Sequence, residues 1–349
     1  MKKAYHLFIA LVLVFGVQSC SEQYFTEEGI SGIFIQLNAN SRIIGQELTI
    51  SVKTEGGEDI TYDAIIYANN EVLSSPSFTQ QEIGIVQLRA VYQNLESSVV
   101  EVEYHDGSQT NFKKNVLIED YTGTWCGWCP RVSYAMKLLE EQTDAAVFVA
   151  IHRAPVGLQD PYIYEDADEL EQLINTPGYP KGFINRLTQW DFPEPDNVGQ
   201  AIAFTQGANP KLGLKMNSAL DGNQISLDVD ALFANDFDNL KLVVYLLENG
   251  LVYPQVNYTS YFDGENPIEE YVHDYTLRQT LTNIIGDEID SNSTKRGLEF
   301  TRSFTLNVPD NVEDASQIDF VAFLTDEEGN VINARKSTLG ESQDYQLLD

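Results

Sequence analysis

Cys126 and Cys129, in the stretch EDYTGTWCGWCPR over residues 119–131, are two of the three cysteines in this 349-residue chain. Taken alone, a C-x-x-C pair fits a metal site, a structural disulfide or a redox dithiol. The flanking sequence narrows the choice. KKNVLIEDY reads as a buried strand, and CPRVSYAMKLLEEQ carries apolar residues at helical spacing. Where a helix opens, unpaired N–H groups and the macrodipole stabilise a thiolate on the first cysteine. A second cysteine one turn inward can resolve the mixed disulfide formed during exchange. Pro130 suits the first turn, where its missing N–H is not needed.

The elements that must position this pair follow from the same pattern. AAVFVAIH is a second buried strand, so strand, helix and strand form a βαβ unit with the cysteines at its first turn. An acidic helical stretch, YEDADELEQLIN, comes next, then TPGYPKGFINR, QWDF and a helix across DNVGQAIAFTQ. Upstream, LTISVK and VVEVEY alternate with period two between turn signals such as NANS and GGED, which predicts an antiparallel β-sandwich over residues 29–105. Downstream, KLGLKMNSAL, QISLDVDALF, LKLVVYLLENG, GLEFTRSFTLNV, QIDFVAFLTD and NVINARKSTL predict a second β-sandwich domain over 210–349. A Tyr-rich loop and short helix interrupt it between about 253 and 286. The α/β segment between them spans 111–206. The expected class is therefore multidomain, α/β plus all-β.

The first residues, MKKAYHLFIALVLVFGVQSC, read as an export signal over 1–19, with two lysines ahead of an apolar run too short for a spanning helix. VQSC resembles the lipobox of bacterial lipoproteins, which implies lipidation of Cys20, followed by a linker over 20–28. Ser21 and Glu22 are consistent with outer-membrane sorting. With Cys20 assigned to lipid, Cys126 and Cys129 pair with each other or with something outside the chain. The chain has 53 acidic against 21 basic residues, a formal net charge of −32. Such a surface repels phosphate backbones, so nucleic acid is not the partner.

IEDYTGTWCGWCP resembles the active-site segment of the thioredoxin superfamily. That resemblance implies a thioredoxin-like domain with Cys126 as attacking thiolate and Cys129 as resolving thiol. Asp120, six residues before Cys126, matches the acid that moves the resolving thiol's proton; its neighbour Glu119 points to the opposite face of the strand, so only one of the two can serve. Pro180 matches the superfamily's cis-proline, with Pro177 the competing candidate. Trp125, Trp128 and Tyr179 are then the residues facing a client. The early β region resembles bacterial immunoglobulin-like modules. The whole combination, with the VAIH strand, the PxGxINR-like segment and YVHDYTLR, is similar to the outer membrane protein 28-related family of bacterial lipoproteins. GYPKGFINR lacks the Thr that thioredoxins place after their cis-proline, and the dipeptide between the cysteines is Gly-Trp rather than Gly-Pro.

The function expected from these readings is that of an exported, lipid-anchored thiol-disulfide oxidoreductase at the bacterial outer membrane, on its periplasmic or cell-surface face. It would act on exported protein thiols or disulfides without a cofactor. The alternative is a surface binding lipoprotein whose disulfide is a staple. Zinc needs about four ligands, and after removal of the expected signal only His105, His152 and His273 accompany the cysteines, so no metal is expected. His273, Asp274 and Arg278 lack the G-x-S-x-G elbow of a hydrolase. DEEGN (326–330) and DFPEPDN (191–197) do not follow the EF-hand pattern and read as solvated turns. Tyr253, Tyr258, Tyr261 and Tyr271 can build a recognition patch, although packing of a long loop is the preferred account.

Overall fold

A computed structural model describes residues 30–348 apart from 31, 40, 55, 108 and 109. The expected signal, Cys20 and the linker lie outside the described residues. The chain divides into two compact units, one formed by Met1–Ala39, Leu48–Phe78 and Gln87–Glu101, the other by Asn40–Glu47, Thr79–Val86 and Val102–Asp349. The first is all-β. β1 (Ile33–Leu37) pairs antiparallel with β2 (Glu47–Thr54), and β3 (Ile65–Ala68) with β4 (Gly84–Tyr92). Period-two alternation turns Ile33, Ile35, Leu48, Ile50 and Val52 inward, as a half-buried antiparallel sheet requires.

In the second unit, β5 (Val116–Thr122) enters α1 (Pro130–Glu140), which returns to β6 (Ala146–His152); β5 and β6 pair in parallel. α2 (Asp168–Ile174) is followed by β7 (Lys181–Ile184), antiparallel to β5 on its other side, and then by α3 (Val198–Phe204). Asn175, with φ of 44°, ends α2 in the left-handed conformation that asparagine tolerates. β8 (Leu212–Asp221), β9 (Gln224–Phe233) and, later, β12 (Glu299–Asn307) make a three-stranded antiparallel sheet.

Residues 111–206 and 210–349, expected as separate domains, share one nine-stranded sheet. β10 (Lys241–Glu248), β11 (Thr276–Thr280), β13 (Ile318–Thr325) and β14 (Val331–Thr338) continue from β6, in the order β7, β5, β6, β11, β10, β13, β14. The joint is the parallel pairing of β6 with β11 at Ala150 and Thr276. β11 lies inside the stretch expected to be loop and helix, where the observed helical element is one 3-10 turn at Phe262–Gly264. TLRQT is too short and too polar at its end to advertise a central strand.

Burial explains this arrangement. KLVVYLLE and IDFVAFLT, in β10 and β13, are apolar almost throughout because both faces are covered. Val243, Tyr245, Leu247, Val321 and Phe323 face a core shared with Leu117, Tyr121, Val149 and Leu170 of α2. Leu242, Val244, Leu246, Phe320 and Ala322 face the three-stranded sheet. α1 and α3 cover the β5 and β6 end of that same side through Val132, Ala135, Leu139 and Ala201.

The INR of GFINR locks β5 from the edge. Asn185 Oδ1 accepts from Leu117 N at 2.9 Å, and Arg186 meets Glu119 at 3.5 Å, both side chains fully buried. Arg186 also donates to the Tyr245 hydroxyl and lies over the Phe323 ring. Burial pushes the Glu119 carboxyl up, against the pull of Arg186. Removing one member of such a pair strands the other charge. Glu119→Ala should cost about 3 to 5 kcal/mol of unfolding free energy in urea titration, and a loss under about 1 kcal/mol would mean the pair does not hold β5.

Candidate active site

All seven residues of β5 are buried, so the strand delivers the turn at 123–129 from a fixed base. The far end of β6 anchors that turn. Thr124 N donates to Asp160 Oδ2 at 2.6 Å, and the same oxygen meets His152 Nδ1 at 2.9 Å. Burial raises the Asp160 pKa, but these contacts and the Tyr162 N–H outweigh it and hold the carboxyl below its usual range. His152 therefore serves the loop that leads to the cysteines. Trp125 Nε1 donates to the Arg153 carbonyl at 2.8 Å, fixing the indole beside the same strand end.

Cys126 and Cys129 are joined in a disulfide with Cα atoms 5.4 Å apart. Cys129, whose N–H donates to the Cys126 carbonyl, occupies the cap position, and α1 begins at Pro130. Cys126 thus sits one turn ahead of the helix rather than on its first turn. Its exposure is 4% and that of Cys129 is 0%.

Asp120 lies on the α1 face of β5 and Glu119 on the opposite face, as alternation requires. Asp120 is buried, and its Oδ1 has no hydrogen-bond partner among the described residues. Its pKa is raised well above the ordinary carboxyl value, first by burial and then by Glu194; Arg131 and Ser133 oppose this. Arg131 forms a bidentate pair with buried Glu194, at 2.5 and 3.2 Å. Asp120 opens on a cavity of about 450 Å³ shared with Thr122, Ser133, His152, Gln255, Tyr271 and His273. Burial raises the Tyr271 pKa to about 12.

The Tyr179–Pro180 peptide is cis and precedes β7; Phe192–Pro193 and Asn266–Pro267 are cis as well. Pro177 carries no cis bond. Tyr179 stacks edge-on against Trp125, with centroids 5.7 Å apart, and its hydroxyl donates to Glu171 at 2.5 Å. Trp128 is 53% exposed and meets Tyr258 edge-on at 6.0 Å. Trp125 and Trp128 thus flank the cysteines along the turn, and Tyr179 reaches the turn through the Trp125 ring. Gln255 meets the Cys126 carbonyl, and Glu194 and Ser133 act on Asp120, without a sequence signal, because no motif spacing relates position 126 to position 255; Tyr258, on Gly127, carries only the general signal of a Tyr-rich loop. His273, Asp274 and Arg278 form no such set: His273 Nε2 donates to the Tyr253 carbonyl at 3.1 Å, and Arg278 pairs with Glu248 at 3.2 Å.

A model of the family described as outer membrane protein Omp28 matches residues 167–343, just over half of the chain. The chain belongs to the Omp28 family. The match covers α2, Tyr179, Pro180, Gln255 and His273, and it begins after the cysteine segment. In this Omp28 family member the shared region supplies one wall of the cavity, and residues 119–133 supply the disulfide and Asp120. Among solved structures, HBP35 of Porphyromonas gingivalis is similar in fold, at 20% identity over 67% of this chain and 78% of its own, with a TM-score of 0.54. A protein of Agrobacterium tumefaciens known from an X-ray crystal structure is 13% identical over 66% of this chain and 96% of its own, with a TM-score of 0.42. No curated protein matches. The family associates the chain with the outer membrane, and no helix among the described residues is long and apolar enough to cross one.

His273 provides a test of the cavity's interior. Burial lowers its pKa to about 4, helped by His152, whose ring centroid is 5.2 Å away. The folded chain therefore binds fewer protons here than the unfolded chain, and stability falls as pH drops from about 6.5 toward about 4, by about 3 kcal/mol in full. His273→Gln should flatten the pH dependence of unfolding free energy across that window by a comparable amount. An unchanged slope would place the histidine in water.

Proposed function

We propose that this protein is an exported, lipid-anchored thiol-disulfide oxidoreductase of the thioredoxin-like type. On this reading residues 111–206 are the thioredoxin-like part, 29–105 an immunoglobulin-like spacer, and Cys20 the lipid attachment that holds the protein at the outer membrane. The observation that carries the proposal is the Cys126–Cys129 disulfide at the entry to α1 with a buried, incompletely bonded carboxyl, Asp120, on the face of β5 that α1 covers.

In the exchange, a client thiolate attacks Cys126 Sγ, the Cys126–Cys129 bond breaks, and Cys129 leaves with the electron pair as a thiolate. Asp120, whose pKa burial raises, is the acid that supplies a proton to Cys129. A second client thiolate then attacks the client sulfur of the mixed disulfide and releases Cys126. The client dithiol is oxidised and the Cys126/Cys129 pair reduced; the reverse sequence reduces a client disulfide. Trp125, Trp128, Tyr179 and Pro180 surround the turn where a client docks.

The burial of both cysteines favours a second reading, a surface binding lipoprotein in which the disulfide is a staple. Equilibration with glutathione buffers and thiol trapping separates the two. A working site has a potential within about −120 to −270 mV, whereas a staple stays closed below about −300 mV. Cys126→Ser should abolish disulfide exchange with a protein substrate, and retained exchange sinks the assignment. Asp120→Asn should slow exchange about a hundredfold while leaving the disulfide able to form; an unchanged rate would remove Asp120 from proton handling.

A further inference from the structure

The turn that carries the disulfide is crossed by the chain itself. Residues 253–262 cross the 123–129 turn, and two amides spaced like those along one edge of a strand bond to it. Val256 N donates to the Thr124 carbonyl at 2.9 Å, and Tyr258 N to the Gly127 carbonyl at 2.6 Å. Between them, the buried Gln255 side chain donates from Nε2 to the carbonyls of Cys126, at 3.1 Å, and Gly123, at 3.3 Å. The Tyr258 ring lies flush on Gly127, where a Cβ would stand 2.3 Å from the ring carbons. Glycine between the cysteines is thus what admits the ring. Beyond it, Tyr261 stacks on Tyr134 of α1 with centroids 4.5 Å apart.

The segment keeps its shape through its own bonds. Asn257 Oδ1 accepts from Thr259 N and Oγ1, and Asn257 Nδ2 donates to the Tyr261 carbonyl. Gln255 and Ile268 exchange backbone hydrogen bonds at its base. Its ends are fixed, while Tyr258 remains 59% exposed at the crossing.

We infer that the carbonyl edge of the 123–129 turn is a peptide-docking surface, that residues 255–258 occupy it in the absence of a client, and that an extended client segment bearing an aromatic side chain displaces them. This rests on the oxidoreductase reading and adds to it the kind of partner and the element that must move. Main-chain donors and one aromatic ring are what the surface takes, because carbonyls at 124 and 127 accept from any extended backbone and the bare Gly127 receives a flat ring. Cys126 is 4% exposed and its carbonyl is held by Gln255, so on this inference an external thiolate reaches it once the segment lifts.

The test uses the whole soluble chain from residue 21 onward. Reduction of the disulfide by dithiothreitol is timed by trapping free thiols in the wild type, in Tyr258→Ala, which empties the ring site, and in Gly127→Ala, which pushes the ring off. Near-UV circular dichroism confirms folding, and because Tyr258 is mostly exposed its variant carries the test should Gly127→Ala fail to fold. Both variants should be reduced at least tenfold faster. A synthetic peptide of residues 254–262, PQVNYTSYF, at millimolar concentration should slow Tyr258→Ala again, whereas the same peptide with alanine for Tyr258 should not. Wild-type rates in the folded variants overturn the covering role, and failure of the peptide to protect overturns the docking surface. If the variants are reduced quickly yet exchange with no protein disulfide, the oxidoreductase reading falls and the covering segment stands.

Discussion

The structure depends on a narrow seam. Ala150 N donates to the Tyr275 carbonyl at 2.8 Å, and β6 and β11 pair at Ala150 and Thr276, joining the strand-helix-strand unit to the C-terminal strands as one sheet. Two consequences follow from that register. β10 and β13 become interior strands of a sheet covered on both sides, which is why their sequences are almost unbroken apolar runs. The chain just before β11, residues 253–275, is also carried to the end of β5 and β6 where the disulfide lies. A shift of one residue would turn Leu277 out of the core that it shares with Leu247 and Val149.

β5 shows how one strand separates two electrostatic tasks. Glu119 and Asp120 are adjacent, and alternation sends them to opposite faces. Glu119 finds a permanent partner in Arg186 and becomes a structural tie. Asp120 has Ser133 beside it and a cation, Arg131, already committed to Glu194, so burial dominates and raises its pKa. The difference comes from what each face packs against, since the two acids have nearly the same intrinsic acidity.

The local part of this arrangement was legible in the sequence. The apolar run into WCGWCP, the helical spacing after it and the buried strand AVFVAIH are short-range signals, and the observed elements stand where those signals place them. The strands after residue 210 were legible for the same reason. The joint was not, because β11 is five residues long and half polar, and its place depends on a partner more than a hundred residues away. Gln255 and Tyr258 were opaque on similar grounds. Tyrosines in a loop advertise packing or recognition equally, and only the Gly127 ring contact distinguishes them.

The segment over the turn also bounds the cavity that Asp120 opens on, through Gln255 and Phe262. In the proposed exchange, closure of the dithiol and dehydration of its acid are therefore linked through Gln255. With residues 255–258 seated, Cys126 is 4% exposed and burial raises the Asp120 pKa. In the proposed exchange, lifting them admits the client thiolate and water together, and hydration removes the leading cause of the raised Asp120 pKa. The acid then gives up its proton more readily just when Cys129 departs as a thiolate. A fixed buried acid in a permanently open site would lack this coupling, since its proton affinity would be the same before and after the client arrives.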